Sequence, residues 1–352
     1  MRLNSVQQRK ANNFDLMRII FAWFVIVTHA YILTGSKNCD PICEFTNHYI
    51  NLSYVGVKGF FVISGYLIFQ SLLRCHSVPD YLLRRILRIY PALIAVLLVT
   101  VCCIYFIYPH NNQPSVFFVN ATHYVTNNLL LFTNQWSMKG IFDHLPLSVI
   151  NGSLWTIGFE FFFYLVTIIF YSFRKNNTWL RVVLIGLIVM CTLGNLYLLP
   201  FLSQLHFILK MNLLVELGSY FFIGSLFASF AWDKIPSKKP IFFLAIFLLL
   251  AAVYSKADLS LTVFPLAYII LFLGKKENKF ASLIHEYLGD PSYGIYLYAF
   301  PLQQFLIYFF KPSITILLWT SSAGALILGI LSWYLIEKRA LKYKSLLVVR
   351  PH

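Results

Sequence analysis

Residues 14–30 read FDLMRIIFAWFVIVTHA. The run is greasy enough to sit in lipid, yet it keeps Asp15 and Arg18 near its start and His29 near its end. The solvent around this segment decides the fold. Of the 352 residues, 59% are hydrophobic and only 12% are charged, about half the ~25% charged fraction of a soluble domain. The apolar residues gather in long blocks, many close to the ~20 residues that a helix needs to cross a bilayer. The chain reads as an all-α integral membrane protein, a bundle of about ten transmembrane helices.

The ten blocks run approximately 14–33, 54–73, 89–108, 153–173, 179–199, 211–231, 240–254, 259–273, 291–310 and 313–336. The seventh and eighth are short and separated by SKADLS (255–260), so they read either as thin spans or as a re-entrant pair. With the N-terminus in the cytoplasm, 21 of the 28 lysines and arginines fall in cytoplasmic segments and five in outer loops. Arg18 and Lys58 lie inside helices. This asymmetry is what the positive-inside rule produces, and it makes the net charge of +15 a matter of topology rather than of nucleic-acid binding. Both termini are then cytoplasmic, with residues 1–344 as one transmembrane domain and 345–352 as a short tail. The first block is too long and too interrupted by charge for a cleavable signal peptide, and no soluble domain is expected at either end.

Cys39 and Cys43 stand in the first outer loop, CDPIC (39–43). An oxidising compartment permits a disulfide there, although the loop is tight for one. No Cys/His group has zinc spacing, so no metal site is expected. The longest loop, roughly 109–152, lies outside and holds His110, His123 and His144 among Asn, Thr and aromatics. It reads equally as a surface for a polar, sugar-bearing ligand and as an ordinary structured loop.

Ionisable side chains within spans are costly and usually face the bundle interior, where they mark a functional path. Arg18 and His29 are eleven residues apart, which brings them within about 20° of one helix face and separates them by ~16 Å along it. Asp15, three residues before Arg18, shares the stripe and is a partner for it. Glu160 is about seven residues below the outer end of its block, ~10 Å deep at helical rise, which puts it at the depth of His29. Lys58 and Glu216 fall in the same outer half. A carboxylate that orients an imidazole suits general-base work, and a polar network that only locks helices together suits the same depths. At the inner side, YLLRRILRIYPA (81–92) puts Arg84, Arg85 and Arg88 on one ~100° arc opposite leucine and isoleucine. Such a turn fits lipid headgroups and fits a polyphosphate. An anion site on one face and a His/Glu pair near the other suit a donor with a phosphate-rich head and a long flexible arm, the shape of acyl-coenzyme A.

These motifs, in order, resemble acyltransferase family 3, the bacterial membrane acyltransferases that decorate surface polysaccharides and related glycans. Arg18 and His29 match the family's basic-x10-His pattern. GVKGFFVISGYLI (56–68), RRILRIYP (84–91), SLWTIGFEFFFY (153–164), LGDPSYGIYLYAFP (288–301) and LSWYLIEKRALKY (331–343) resemble its further signatures, so the likeness spans nearly the whole chain. The resemblance implies a multi-pass protein of the bacterial cytoplasmic (inner) membrane. It would transfer an acyl group, most often acetyl, from cytoplasmic acyl-coenzyme A to a hydroxyl of an extracytoplasmic or lipid-linked glycan, in polysaccharide biosynthesis. It implies His29 as the catalytic residue with Arg18 as its companion, and Arg85 and Arg88 in donor binding.

Reading the residues beside the resemblance adds Glu160 to the catalytic group, and Arg84, Ser64 and Tyr66 to the donor-binding group. Lys58, Tyr296 and Trp155 are candidates for acceptor contacts, with Lys58, Ser64 and Tyr296 also candidates for oxyanion stabilisation. Acyl-coenzyme A is a co-substrate, and no cofactor is bound permanently. A covalent acyl-enzyme on His29 or Ser64 stays open beside direct transfer. Two departures stand out: Lys58 replaces an acidic residue of many relatives, and Ala299 replaces a histidine. Many relatives add an extracytoplasmic hydrolase-like domain. None is expected here, and the expectation is that the chain acylates directly or hands the group to a separate partner. The competing class is a transporter of a polar solute or lipid-linked sugar, but the sequence shows neither repeated halves nor matching broken helices.

Overall fold

The computed structural model describes residues 13–109, 114–198, 208–230 and 238–345, and these residues contain helices and connecting loops but no strand. Within the described residues, each of the ten apolar blocks is largely helical. In chain order the α-helices that matter are α1 (Phe14–Leu33), α2 (Pro41–Phe45), α3 (Leu52–Arg74), α4 (Val78–Tyr105), α5 (Pro114–Leu129), α6 (Trp155–Thr167), α7 (Asn177–Leu193), α8 (Ile208–Ala228), α9 (Lys238–Ser255), α10 (Val263–Gly274), α11 (Lys279–Leu288), α12 (Ser292–Phe310) and α13 (Ile314–Ser332). Several of their starts carry side-chain caps. Asn51 accepts from the Tyr54 N–H at 2.7 Å at the start of α3, Ser77 from the Asp80 N–H at 3.3 Å at the start of α4, and Ser313 caps α13. Each satisfies an N–H that the helix itself leaves without a partner.

Seven helices among the described residues are long and apolar enough to cross a bilayer. Leu259–Gly274 and Lys279–Leu288 are apolar enough together but meet at 80°, the geometry of a broken span or of a re-entrant loop. The protein is thus a multi-pass membrane protein, and two further blocks, 153–173 and 291–310, depart from a simple apolar span for physical reasons. One is α12, which is buried along most of its length and carries Gln303 and Gln304 with no exposure at all. A helix walled in by other helices need not be apolar. The other is α6 with the 3-10 turn that follows it, a short unit covering Trp155–Tyr171.

The shortness of α6 has a visible cause. The chain before it descends beside α12 as irregular backbone: the Gln304 amide donates to the carbonyls of Leu147 and Val149 at 2.7 and 2.5 Å, and the Asn151 amide donates to the carbonyl of Leu297 at 3.0 Å. Non-helical backbone is tolerated at membrane depth only where protein satisfies it, and these side-chain amides do so. When α6 begins, it is already level with the middle of the bundle.

The core is α3, packed between α1 and α8. A side chain at Gly65 would collide with the Phe221 carbonyl and one at Gly224 with the Val62 carbonyl, so α3 and α8 approach backbone to backbone. The Ser225 hydroxyl adds a bond to the Gly65 carbonyl at 3.1 Å. Small residues at such crossings are how membrane helices gain packing without a hydrophobic driving force. The bundle has an arginine end, where α1 starts, and a histidine end, where α1 finishes.

Candidate active site

At the arginine end, five charged side chains from four segments interlock. Arg18 contacts Asp15 and donates to Asp290 Oδ2 at 3.0 Å. Arg88 donates to the same Asp290 oxygen at 2.7 Å and to Glu337 Oε2 at 3.0 Å. Glu337 is fully buried. A π-helical turn over Trp333–Glu337 follows α13 and carries it, and the Ser332 hydroxyl holds its other oxygen at 3.0 Å. Ser292 donates to Asp290 Oδ1 at 2.8 Å, and His285 on α11 reaches Asp15 at 2.7 Å. Burial alone would raise the carboxyl of Asp290, but Arg18 and Arg88 hold it below the ordinary carboxylate range. Two guanidinium groups therefore face three carboxylates. The Asp15–Arg18 contact expected from their spacing is present, and a cluster already neutralised in this way has no cation left over for a polyanion.

The three arginines of α4 part company. Arg84 points outward into a two-pronged pair with Asp80 at 2.8 and 3.0 Å, and Arg88 belongs to the cluster. Arg85 turns inward between the rings of Tyr81 and Tyr164, 5.6 and 5.8 Å from their centroids. It donates to the Ser71 hydroxyl at 3.2 Å, and its Nε is buried without a partner. No carboxylate among the described residues pairs with it. Tyr66 lies apart from this group: Gln70 donates to its hydroxyl at 2.8 Å, and the Lys275 ammonium lies 5.2 Å from its ring centroid.

From Arg85 a ladder of polar side chains runs inward. The Ser64 hydroxyl donates to Glu160 Oε1 at 2.8 Å and the Tyr164 hydroxyl to the same atom at 2.5 Å. One turn before Glu160, the Thr156 hydroxyl is bonded to that of Tyr296 at 2.8 Å, and the ring of Phe60 meets the ring of Tyr296 edge-on at 5.6 Å. Trp155 packs against Phe159 at 5.8 Å. Lys58 is off this line, on the face of α3 toward α8. It pairs with Glu216 at 2.9 Å and lies 4.7 Å from the Tyr54 ring centroid, beside linked hydroxyls of Tyr54, Tyr220 and Thr262.

His29 stands at the far end of the α1 stripe. Its ring meets the Phe300 ring edge-on at 4.9 Å, and its Nδ1 is buried without a hydrogen-bond partner. Glu160 does not reach it. Thr28, next to His29, is bonded to the Ser53 N–H at the start of α3 at 2.9 Å, whereas Glu160 meets α3 at Ser64, eleven residues or ~16 Å further along that helix. The expected equality of depth therefore fails. Counting from residue 153 as the membrane surface overlooks the irregular descent beside α12, which lowers Glu160 toward the arginine end.

Around His29 the structure adds a residue that the sequence reading passed over. Asp40, fully buried, caps α2 and accepts the Thr28 hydroxyl at 2.7 Å. Its signal was present, since an acidic residue followed by proline is a helix-start signature. Cys39 and Cys43 on either side of it are joined in a disulfide with Cα atoms 5.8 Å apart. In the long loop, His144 packs on Tyr308 at 5.3 Å, His123 is exposed on α5, and His110 lies outside the described residues.

A family model described as an acyltransferase domain matches residues 12–338. The chain belongs to acyltransferase family 3. Among its curated relatives, an O-acetyl transferase of Shigella phage Sf6 is 30% identical over 355 residues, covering 96% of this chain and 98% of the phage protein. Nodulation protein 10 of Rhizobium leguminosarum bv. viciae is 27% identical over 366 residues, covering 96% and 95% of the two chains. No solved structure matches the chain at a significant level. The ladder and the two ends described above are thus features of an integral-membrane acyltransferase, and the carrier reading falls away.

Proposed function

We propose that this acyltransferase moves an acyl group, acetyl by analogy with its phage relative, from cytoplasmic acyl-coenzyme A to a hydroxyl of an extracytoplasmic or lipid-linked glycan. The observation that carries the reading is the division of labour along α1. At one end Arg85 is an inward-facing guanidinium without a carboxylate partner, and at the other His29 is an imidazole whose Nδ1 has no partner either. The arginine end is cytoplasmic and the histidine end extracytoplasmic. The lysine and arginine asymmetry supports that orientation, as does the disulfide at the histidine end, since such bonds persist in oxidising compartments. The protein sits in the bacterial inner membrane, with ten membrane-inserted segments and both termini in the cytoplasm.

In this reading Arg85 holds donor phosphate by charge-assisted bonds, with Ser71 and the flanking tyrosines fixing its plane. Arg18 and Arg88 form the frame that keeps α1, α4, α12 and the turn after α13 in register. The thioester arm extends past Ser64, Glu160, Tyr164 and Tyr296 toward His29. His29 removes the proton from the attacking glycan hydroxyl while the new carbon–oxygen bond forms. The carbon–sulfur bond then breaks, and the proton passes to the departing thiolate. Glu160 keeps the ladder polar rather than orienting the imidazole, and Lys58 with Glu216 braces α3 against α8.

The test is transfer of label from radiolabelled acetyl-coenzyme A to surface polysaccharide in bacterial membranes, wild type against His29→Ala at matched protein levels. Label that depends on His29 supports the reading and identifies the acceptor. Equal labelling by the two proteins would refute the role of His29.

A further inference from the structure

His29 lacks the side chain that usually orients a catalytic imidazole. Its Nδ1 is buried without a partner, and Glu160 is about three helical turns away along α3. Its placement must then come from the backbone of α1 and from the Phe300 ring against which it packs. What fixes the end of α1 is legible in the contacts of one residue.

Asp40 is a fully buried carboxylate with no cation among its hydrogen-bond partners. It is stabilised by donors alone, drawn from three segments. The Thr28 hydroxyl donates to Oδ2 at 2.7 Å, the N–H groups of Ile42 and Cys43 to Oδ1 at 3.1 Å each, and the Leu52 N–H to Oδ2 at 3.1 Å. The last three are first-turn N–H groups of α2 and α3, which a carboxylate satisfies both as acceptor and as counter-charge. Thr28 closes the circuit: it gives its single proton to Asp40 and accepts from the Ser53 N–H at 2.9 Å. The Cys39–Cys43 disulfide brackets the carboxylate in sequence, so the short loop that presents it is covalently closed.

We infer that Asp40 is a positioning residue for His29, acting through the hydroxyl of Thr28 to lock the end of α1 against the start of α3. The inference rests on the proposed function of His29 and deepens it. Asp40 touches no reacting atom. It sets where the imidazole stands, and a displacement of ~1 Å at a reacting group can cost of order 10²-fold in rate.

Replacing Asp40 strands four donors at once, and Asp40→Asn is at risk of failing to fold. The informative variant is Thr28→Val, which keeps the shape and removes the hydroxyl, with Thr28→Ser as its rescue. The assay is label transfer from acetyl-coenzyme A in membranes bearing surface polysaccharide, read per mole of monodisperse enzyme, with His29→Ala alongside. Thr28→Val is expected to lower kcat by of order 10²-fold and leave KM for acetyl-coenzyme A unchanged, because the donor is held at the opposite end; Thr28→Ser restores most of the turnover. Wild-type kcat in Thr28→Val would overturn the inference. So would a loss spread over kcat and KM alike that serine does not repair, the mark of general loosening. If His29→Ala labels normally, the proposed function falls and this inference with it. If His29→Ala is inactive while Thr28→Val is normal, only this inference falls.

Discussion

The two ends of the α1 stripe handle charge in opposite ways. At the arginine end, Arg18 and Arg88 are ion-paired with Asp15, Asp290 and Glu337, and the only inward cation of α4 left without a carboxylate is Arg85. At the histidine end, the one buried carboxylate among the described residues, Asp40, has no cation among its hydrogen-bond partners and is satisfied by a hydroxyl and backbone N–H groups, while His29 keeps an unpaired nitrogen. The first arrangement is a framework that resists change. The second leaves an imidazole free and fixes the ground beneath it. A count of charges inside the membrane cannot tell these apart, because both ends look equally polar in sequence.

That comparison can be broken in several places. The largest effect is expected at the histidine end: His29→Ala should lower transfer by ~10²–10⁴-fold, the range for losing a general base, with thermal stability in detergent unchanged. Next comes the framework. Asp290→Ala leaves Arg18 and Arg88 without their shared acceptor, and breaking a buried ion pair from one side costs ~3–5 kcal/mol, measurable as a large drop in melting temperature. Arg85→Ala should spare stability and raise KM for acetyl-coenzyme A by ~10–100-fold, the loss of a bond to a charged group worth about 1.5–3 kcal/mol. If Arg85→Ala unfolds the protein while Asp290→Ala does not, the contrast between framework and donor site is wrong. Cys39→Ser with Cys43→Ser should cost about 2 kcal/mol of stability, as expected for opening so short a loop. The smallest effect is at Arg84, whose pair with Asp80 is partly solvent-exposed. Arg84→Ala should change melting temperature and KM little, since surface pairs contribute ~0–1 kcal/mol.

Much of this was legible in the sequence, and the exceptions share a cause. Helical periodicity gave the α1 stripe, because Asp15, Arg18 and His29 lie on one continuous helix whose geometry is known in advance. The same rule misplaced Glu160, since the segment before α6 descends as irregular backbone held by Gln304 and Asn151, and no period announces such a descent. The three arginines of α4 share an arc, yet they have three different partners, which only tertiary packing decides. Lys58 and Glu216 share a depth in the sequence, but their blocks are distant and nothing there pairs them; the parallel packing of α3 and α8 through Gly65 and Gly224 brings them together. Asp40 was hidden for a simpler reason. It sits in a loop, outside every span, where a charge costs nothing until the fold buries it.

The most direct measurement of the central claim is sidedness. Sealed membrane vesicles of known orientation, inverted and right-side-out, would receive radiolabelled acetyl-coenzyme A from outside only, a donor too polar to cross lipid unaided. The account predicts that label reaches glycan in inverted vesicles, where the donor meets Arg85, and that His29→Ala abolishes it. Labelling by wild-type protein in sealed right-side-out vesicles, with the donor offered only to the histidine end, would contradict it.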